Sequence, residues 1–385
     1  MKHFDERDTM FSRLGLIKGT KKYSDYYEKH PELQKEDDRV RESAHKTMAR
    51  IFRIDPAHFK KKSDRVFMVQ RIINAFYDFT GKKMAMDPDR MLSIGAEPKE
   101  DDAAWTAMVR PATLLTNQIQ QESDRCKVAA HRVKVDPLEM SAALKSLALA
   151  YGGDLAGIAR LKSHHHYSHR GDMFGMGVGY GRSLHLSYSY AIVIAAALDK
   201  AMVNRAPRKE TQIAAMLGYA GSTAASAQLA MYIKSLGYEA LTDNFIEYYS
   251  PLIPLAAEAG LGQIGRCNMI VNPQYGNRLK MAAVLTNMPL VEDGPVDFGL
   301  VDFCRLCLKC ARKCPAKAIS FDEPQLINGL YQWSHDGAKC MEMWMTVGTG
   351  ICMAACPFSQ GIDQRLVGQF KDHPDLIKNI LADCK

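Results

Sequence analysis

The chain has 385 residues, of which 47% are hydrophobic and 24% charged. That balance excludes wholesale disorder, and the length suits two or three packed units. A formal net charge of +7 is modest for such a length; it permits an acidic partner without requiring nucleic acid. The longest uncharged run, 211–233, carries Thr211, Gln212, Ser222, Thr223, Ser226 and Gln228 among its alanines, so it reads as a buried helix and not as a bilayer span. The opening MKHFDERDTMF places Asp5, Glu6 and Asp8 where a secretory leader is apolar, and no paired-arginine signal follows.

In chain order, the first 65 residues are dense in charge and read as an arm of short helices lying over the body. The acid–base alternation of 31–46 reads as a solvated helix face. Helices are expected around 66–79 and 101–115, which makes 1–135 an N-terminal extension. At Asp136-Pro137 the texture changes: apolar residues recur at three and four, and Gly152-Gly153 stops the helix. A His- and Gly-rich stretch follows, then the β-type run LHLSYSYAIVIA and an Ala-rich helix ending at Gly237. After these come a loop with Tyr248, Tyr249 and Pro251, the short helix IPLAAEAG and the strand KMAAVLTN. Helices alternating with apolar strands predict a core over 136–300 of the α+β or α/β class. Residues 301–360 form a cysteine-rich insert, and 361–385 a tail.

Seven of the ten cysteines fall between Cys304 and Cys356. A disulfide-stapled secreted protein spreads its cysteines, and a core of this size needs no staples. Cys304-x2-Cys307-x2-Cys310-x3-Cys314-Pro315 is the run that wraps [4Fe–4S] clusters in two-cluster ferredoxins, its fourth cysteine reaching the other cluster. Zinc would ask for separated CxxC pairs or added histidines. The second half is Cys340-x11-Cys352-x3-Cys356-Pro357. By the exchange rule Cys304, Cys307, Cys310 and Cys356 hold one cluster, and Cys314, Cys340 and Cys352 hold the other, one ligand short. A full repeat has cysteine at 349, where this chain has Thr349. The second centre is then [3Fe–4S], or [4Fe–4S] with a non-cysteine ligand; the spacing leaves both open. Cys126, Cys267 and Cys384 read as structural thiols. His164, His165, His166 and His169 read as a polar loop or lid, not a metal site.

Several stretches resemble the cobalamin-dependent reductive dehalogenases: AGLGQIGRCNMIVNPQYGNRLKMAAVLTNMPL, DFCRLCLKCARKCPAKAIS, and the opening DERDTMFSRLG with GTKKYSDYYEKHPELQKEDDRVR. The resemblance runs from about residue 5 to 360. A sister family, epoxyqueuosine reductase, shares AGLG-x-x-G and the two clusters. Its catalytic Asp motif before AGLG is replaced here by FIEYYSPLIP, and its carboxyl-terminal helical repeats are missing.

The resemblance implies a nitroreductase-like corrinoid-binding core with a two-[4Fe–4S] ferredoxin-like insert. It implies reductive removal of halide from a small organohalide, as in anaerobic organohalide respiration. Tyr219 would be the proton donor and Asn244 a polar loop residue of the active site. The cation would be Arg278 or Lys280 of the YGNRLK segment, since a cation that stabilises phenolate makes tyrosine a competent acid. Gly260, Gly262 and Gly265 would touch the corrinoid; by spacing alone GLGQIG is only a weak nucleotide-like signal. The chain has no Asp-x-His-x-x-Gly element, which implies a base-off cofactor without a protein histidine below the cobalt. No flavin or NAD(P)H domain follows the clusters, so an external electron donor or a membrane anchor protein is implied. The chain as given reads as cytoplasmic, or as exported to the outer face of the cytoplasmic membrane where a twin-arginine leader has been removed. Two other readings stand beside this one, tRNA epoxyqueuosine reduction and pure electron transfer.

Overall fold

The computed structural model describes residues 4–16, 18–51, 115–116, 118–171, 180–245, 248–346, 348, 350–370 and 372–383. The helix expected around 66–79, nearly all of that around 101–115, Thr349 and Cys384 lie outside them.

The core begins where the sequence changes texture. The Asp136 carboxylate accepts from the Leu138 and Glu139 N–H groups at 2.9 and 3.0 Å and caps the helix Pro137–Ala150. Pro137 takes the first helical position, where no backbone partner is lost. Among the described residues eight strands follow in chain order: β1 (Leu155–Arg160), β2 (Tyr190–Ala197), β3 (Ala240–Asp243), β4 (Gln263–Ile264), β5 (Ile270–Val271), β6 (Leu279–Thr286), β7 (Gln325–Ile327) and β8 (Leu330–Gln332). The main sheet has the order β1-β2-β6-β3. Every neighbouring pair in it is antiparallel, with Ile192 opposite both Ile158 and Val284.

This settles the class expectation in favour of α+β. Near-continuous apolar strands such as YAIVIAAA usually mark a parallel sheet with both faces covered. Here both faces are covered too, but the strands run antiparallel. Ile192 and Ile194 face the helices Pro137–Ala150 and Lys209–Ser235, among Leu144, Ala225, Leu229 and Ile233. Val193 and Ala195 face the other way, against Leu255, Ala256, Leu261 and Ile264 of the helix Leu252–Glu258 and the glycine segment after it. Burial on two faces, not strand direction, wrote the apolar runs.

The N-terminal arm lies on the body at two places. Phe4 bridges to Tyr167, the Ser168 N–H donates to the Phe4 carbonyl at 2.7 Å, and the Gly171 N–H donates to Glu6 Oε2 at 2.7 Å. Farther on, the helix Pro31–Ile51 packs against the helix Gly337–Thr346 of the cysteine region through Val40, Ala338 and Met341. Its charged pattern is not only a solvated face. Asp37 is buried, accepts from Tyr27 Oη at 2.9 Å and pairs with Arg13 at 3.1 Å.

The cysteine region is built of short helices, Leu300–Cys307, Lys309–Lys313, Gly337–Thr346, Ile351–Ala354 and Pro357–Gln360, with the β7–β8 hairpin among them. Phe303, Phe358, Phe370 and Ile377 form its apolar centre, and the last of these comes from the tail helix Pro374–Asp383. Among the described residues no helix is long and apolar enough to cross a membrane.

Arg266 clamps this region to the core. It is buried, its Nε donates to the Cys304 carbonyl at 3.1 Å, and its Nη1 donates to the Ser320 and Asp322 carbonyls at 2.9 and 3.1 Å. Its guanidinium also lies over Trp333, 5.4 Å from the ring centroid. Arg266→Met removes three hydrogen bonds to main-chain carbonyls, a loss of about 1 kcal/mol each. The thermal midpoint of the anaerobic protein is expected to fall accordingly, with Arg266→Lys, which reaches fewer carbonyls, in between.

Candidate active site and cysteine centre

The helix Lys209–Ser235 carries Tyr219 on the side that meets β6. Within β6 the even-numbered side chains Lys280, Ala282 and Val284 share a face, and Val284 packs against that same helix. Lys280 Nζ donates to Tyr219 Oη at 3.2 Å and lies 4.4 Å from its ring centroid. Gly218 makes room for this approach, because a Cβ there would stand 2.4 Å from Leu198 Cδ2 and 3.1 Å from Lys280 Cγ. Phe245 stacks on the Tyr219 ring with centroids 5.0 Å apart. Burial pushes the Tyr219 phenol up, but the Lys280 charge, the Lys280 hydrogen bond and a hydrogen bond from Tyr248 together bring it below its ordinary value. Tyr248 itself is raised well above the ordinary range, by burial first and then by its tie to Tyr219.

Arg278 goes elsewhere. Strand alternation begins only at Leu279, so sharing parity with Lys280 does not aim it the same way. Its Nε donates to the Ser359 carbonyl at 3.1 Å and its Nη1 to the Leu198 carbonyl. Asn244, just past β3, is fully buried, and its Nδ2 donates to Gln120 Oε1 at 2.9 Å. The neighbouring Phe245 is the one that reaches Tyr219. The sequence marks Tyr248 only as a loop residue and gives Phe245 no role; both lie in the stretch NFIEYYSP, whose aromatic density was the available signal.

Gly260, Gly262 and Gly265 are matched to the chain itself. A Cβ on Gly260 would stand 2.8 Å from the Gly294 carbonyl, and one on Gly262 2.2 Å from that of Val271. One on Gly265 would meet Val271 Cγ2 at 2.7 Å, with Cys304 Sγ at 3.9 Å. This segment hugs β5 and the cysteines, and close packing of protein on protein accounts for its glycines.

The cysteines converge. Cys304, Cys307, Cys310 and Cys356 line one cavity together with Gly265 and Cys267. Cys314 and Cys352 pack beside it around Ala311 and Ile319, and the Ala318 N–H points at Cys314 Sγ at 3.4 Å. Cys340 lies at the surface. None of the described cysteines is in a disulfide. Burial, and then the neighbouring thiols, push Cys356 up to about 12. Sulfurs that converge without forming disulfides are a donor set that a cluster of iron ions would satisfy.

The histidines differ from a polar lid. His164 and His165 are buried in a single 3-10 turn with ring centroids 4.3 Å apart. Their ring nitrogens and a Glu258 carboxylate oxygen lie within 4.8 Å of one another, while Glu258 also pairs with Lys162 at 2.8 Å.

Asp243, at the end of β3, is fully buried. Burial raises its carboxyl to about 7, and the nearby Ser250 hydroxyl and the Tyr249 N–H, which donates to Oδ1 at 3.1 Å, only partly offset this. A folded-state pKa above the ordinary 3.8 means that the folded protein holds the proton more tightly than the unfolded chain does. The stability from this proton is therefore full below about 4, is lost as pH rises toward about 7, and changes no further above that. Each displaced unit is worth about 1.4 kcal/mol. Asp243→Asn keeps the acceptor for Tyr249, so thermal midpoints at pH 5 and pH 8 are expected to differ less in the variant than in the unsubstituted protein.

Comparison with known proteins agrees with these features. The 4Fe-4S dicluster domain family matches residues 303–360. Tetrachloroethene reductive dehalogenase of Sulfurospirillum multivorans is 32% identical over 260 residues, 59% of this chain and 51% of that protein. The chain thus spans about half the length of this relative. Epoxyqueuosine reductase of Lactococcus garvieae is 32% identical over 131 residues, 32% of this chain and 36% of that protein. A solved reductive dehalogenase, described as suggesting a mechanism for B12-dependent dehalogenation, shares the fold with a TM-score of 0.60 and 24% identity, over 74% of this chain and 43% of its own. The chain is thus similar to the reductive dehalogenases and, over a shorter stretch, to epoxyqueuosine reductase, and residues 303–360 match a 4Fe-4S dicluster domain.

Proposed function

We propose that this chain is the catalytic part of a reductive dehalogenase, an oxidoreductase that removes halide from a small organohalide. The observation that carries the reading is the phenol of Tyr219, toward which Lys280 and Tyr248 both direct hydrogen bonds. Reductive cleavage of a carbon–halogen bond leaves a carbon that needs a proton, and a phenol with cationic support is a suitable source. Iron–sulfur clusters alone have no use for such a donor, so a second reacting centre beside it is part of the proposal. A corrinoid in the base-off form, in a nitroreductase-like core, would supply low-valent cobalt that accepts single electrons and breaks the carbon–halogen bond.

The chain's own residues have the remaining tasks. Tyr219 holds the proton at Oη and gives it to the carbon. Lys280 stabilises the phenolate left behind, and Tyr248 donates to the same oxygen. Phe245 fixes the ring by stacking, so the phenol keeps one orientation. Arg278 acts as a positioning residue, through the carbonyls of Leu198 and Ser359. Asn244 acts through the buried network with Gln120 and Thr242, in which Gln120 Nε2 donates to Thr242 Oγ1 at 2.6 Å. The seven cysteines of the dicluster domain, from Cys304 to Cys356, would hold two iron–sulfur clusters, which would supply a one-electron path from an external donor or a membrane-bound partner.

The test pairs cofactor analysis with substitution. Anaerobically prepared protein supplied with corrinoid should contain both iron and cobalt and release halide from an organohalide panel. Tyr219→Phe keeps shape and ring stacking but removes the acidic hydrogen, and turnover is expected to fall by about 100- to 10,000-fold with iron and cobalt contents unchanged. Lys280→Met raises the Tyr219 pKa and should cut turnover less, with a loss that depends on pH. Near-normal halide release by Tyr219→Phe would remove the tyrosine from the reaction. Action on epoxyqueuosine in tRNA without halide release would favour the related family, and iron without any cobalt binding would favour a plain electron carrier.

A further inference from the structure

We infer that Cys267 is the fourth thiolate of the second iron–sulfur cluster, joining Cys314, Cys340 and Cys352, so that both centres are [4Fe–4S]. This rests on the dicluster reading of residues 303–360 and not on the dehalogenation proposal. Two four-iron clusters need eight cysteines, and the cysteine region from Cys304 onward offers seven. The shortfall lies in the second set, because Cys304, Cys307, Cys310 and Cys356 already complete the first.

The structure brings an eighth cysteine to the place where one is missing. β4 and β5 form a hairpin, with Gln263 opposite Val271 and Ile264 opposite Ile270. Its turn is closed by Gly265 N–H to the Met269 carbonyl at 2.9 Å and Asn268 N–H to the Gly265 carbonyl at 2.8 Å. Cys267 sits at the tip of this turn, buried. It packs with Ala311 and Ile319 against Cys310, Cys314 and Cys352, and it borders the cavity of the first set. Its sulfur is therefore at the seam between the two sets. Arg266, the preceding residue, anchors the tip through its three carbonyl bonds to the cysteine region.

The environment of the sulfur is that of a ligand. Asn277 Nδ2 donates to Cys267 Sγ at 3.1 Å. The amide orientation is fixed from its other end: Ser359 Oγ accepts the Asn277 N–H at 3.2 Å and gives its own proton to Asn277 Oδ1 at 2.7 Å. The NH2 group must then face the sulfur. An N–H donor held against a sulfur in this way is the kind of outer contact that orients and tunes a cluster thiolate. On coordination the Cys267 thiol loses its proton and donates a sulfur lone pair to one iron, as each of the other seven does. No electron is transferred in that step.

The experiment measures iron and acid-labile sulfide per chain, with paramagnetic resonance spectra of the oxidised and reduced protein, in anaerobically prepared full-length chain. The unsubstituted protein is expected to hold about eight irons and no three-iron signal. Cys267→Ala should hold about seven, with a three-iron signal in the oxidised state and the other cluster unchanged. Cys126→Ala, at a cysteine outside the set, should match the unsubstituted protein. Where Cys267→Ala does not fold, Cys267→Ser decides: its second-cluster spectrum should differ, because an oxygen replaces a sulfur on iron. A three-iron signal in the unsubstituted protein, or unchanged iron and spectra in both Cys267 variants, overturns the assignment. Absence of iron from every form would instead overturn the dicluster reading beneath it.

Discussion

Three hydrogen bonds between Ser359 and the pair Asn277–Arg278 hold the molecule's two functional regions in register. Ser359 follows the last cysteine of the dicluster domain by three residues, and Asn277 and Arg278 lead directly into β6. Two residues farther along, Lys280 meets Tyr219. The same short segment thus touches the cysteine region at one end and the phenol at the other. A shift of Ser359 would move Asn277 away from Cys267 and would turn β6 relative to the helix that carries Tyr219. The Ser359 bonds and the Asn277–Cys267 contact are buried, so a partial shift would leave polar groups without water or partner.

Burial acts in opposite senses on the groups around the site. Tyr219, Tyr248 and Asp243 are all pushed toward their neutral forms by loss of solvent. Only Tyr219 has a lysine and a hydroxyl donor directed at its oxygen, and only there is the push reversed. The contrast separates the phenol from its neighbours without reference to any relative: three buried acids, one with support for its anion. Arg170 donates to the Tyr248 carbonyl and lies over the Tyr249 ring at 4.9 Å. It stabilises the loop that supplies the second donor, and so its contribution is made at one remove.

Much of the cysteine region was legible in the sequence, because cluster ligands obey a local spacing that the backbone must satisfy within a few residues. The helix caps at Asp136-Pro137 and the extent of the Ala-rich helix were legible for the same reason. Strand direction was not, since an apolar run reports that both faces are covered and not which way the neighbouring strand travels. Nor was the choice between Arg278 and Lys280. Alternation predicts a shared face only inside a strand, and β6 starts between them. Cys267 lies thirty-seven residues before Cys304, too far for any spacing rule, and its place among the other sulfurs follows from how the β4–β5 hairpin folds back. The buried histidines escaped for a related reason: a run of three reads as polar until the turn that hides it is known.

The clamp made by Arg266 has an electrical side as well as a mechanical one. Its guanidinium is a cation shut away from solvent, and the hydrogen bonds it makes among the described residues go to carbonyl oxygens. A fixed positive charge in such a medium is poorly screened and acts over a longer range than a surface charge. On the dicluster reading it stands beside the peptide of Cys304, next to the first set of sulfurs. A cation so placed would lower the energy of a reduced cluster relative to an oxidised one, so the residue that fastens the domain to the core would also favour an electron resting at the first centre.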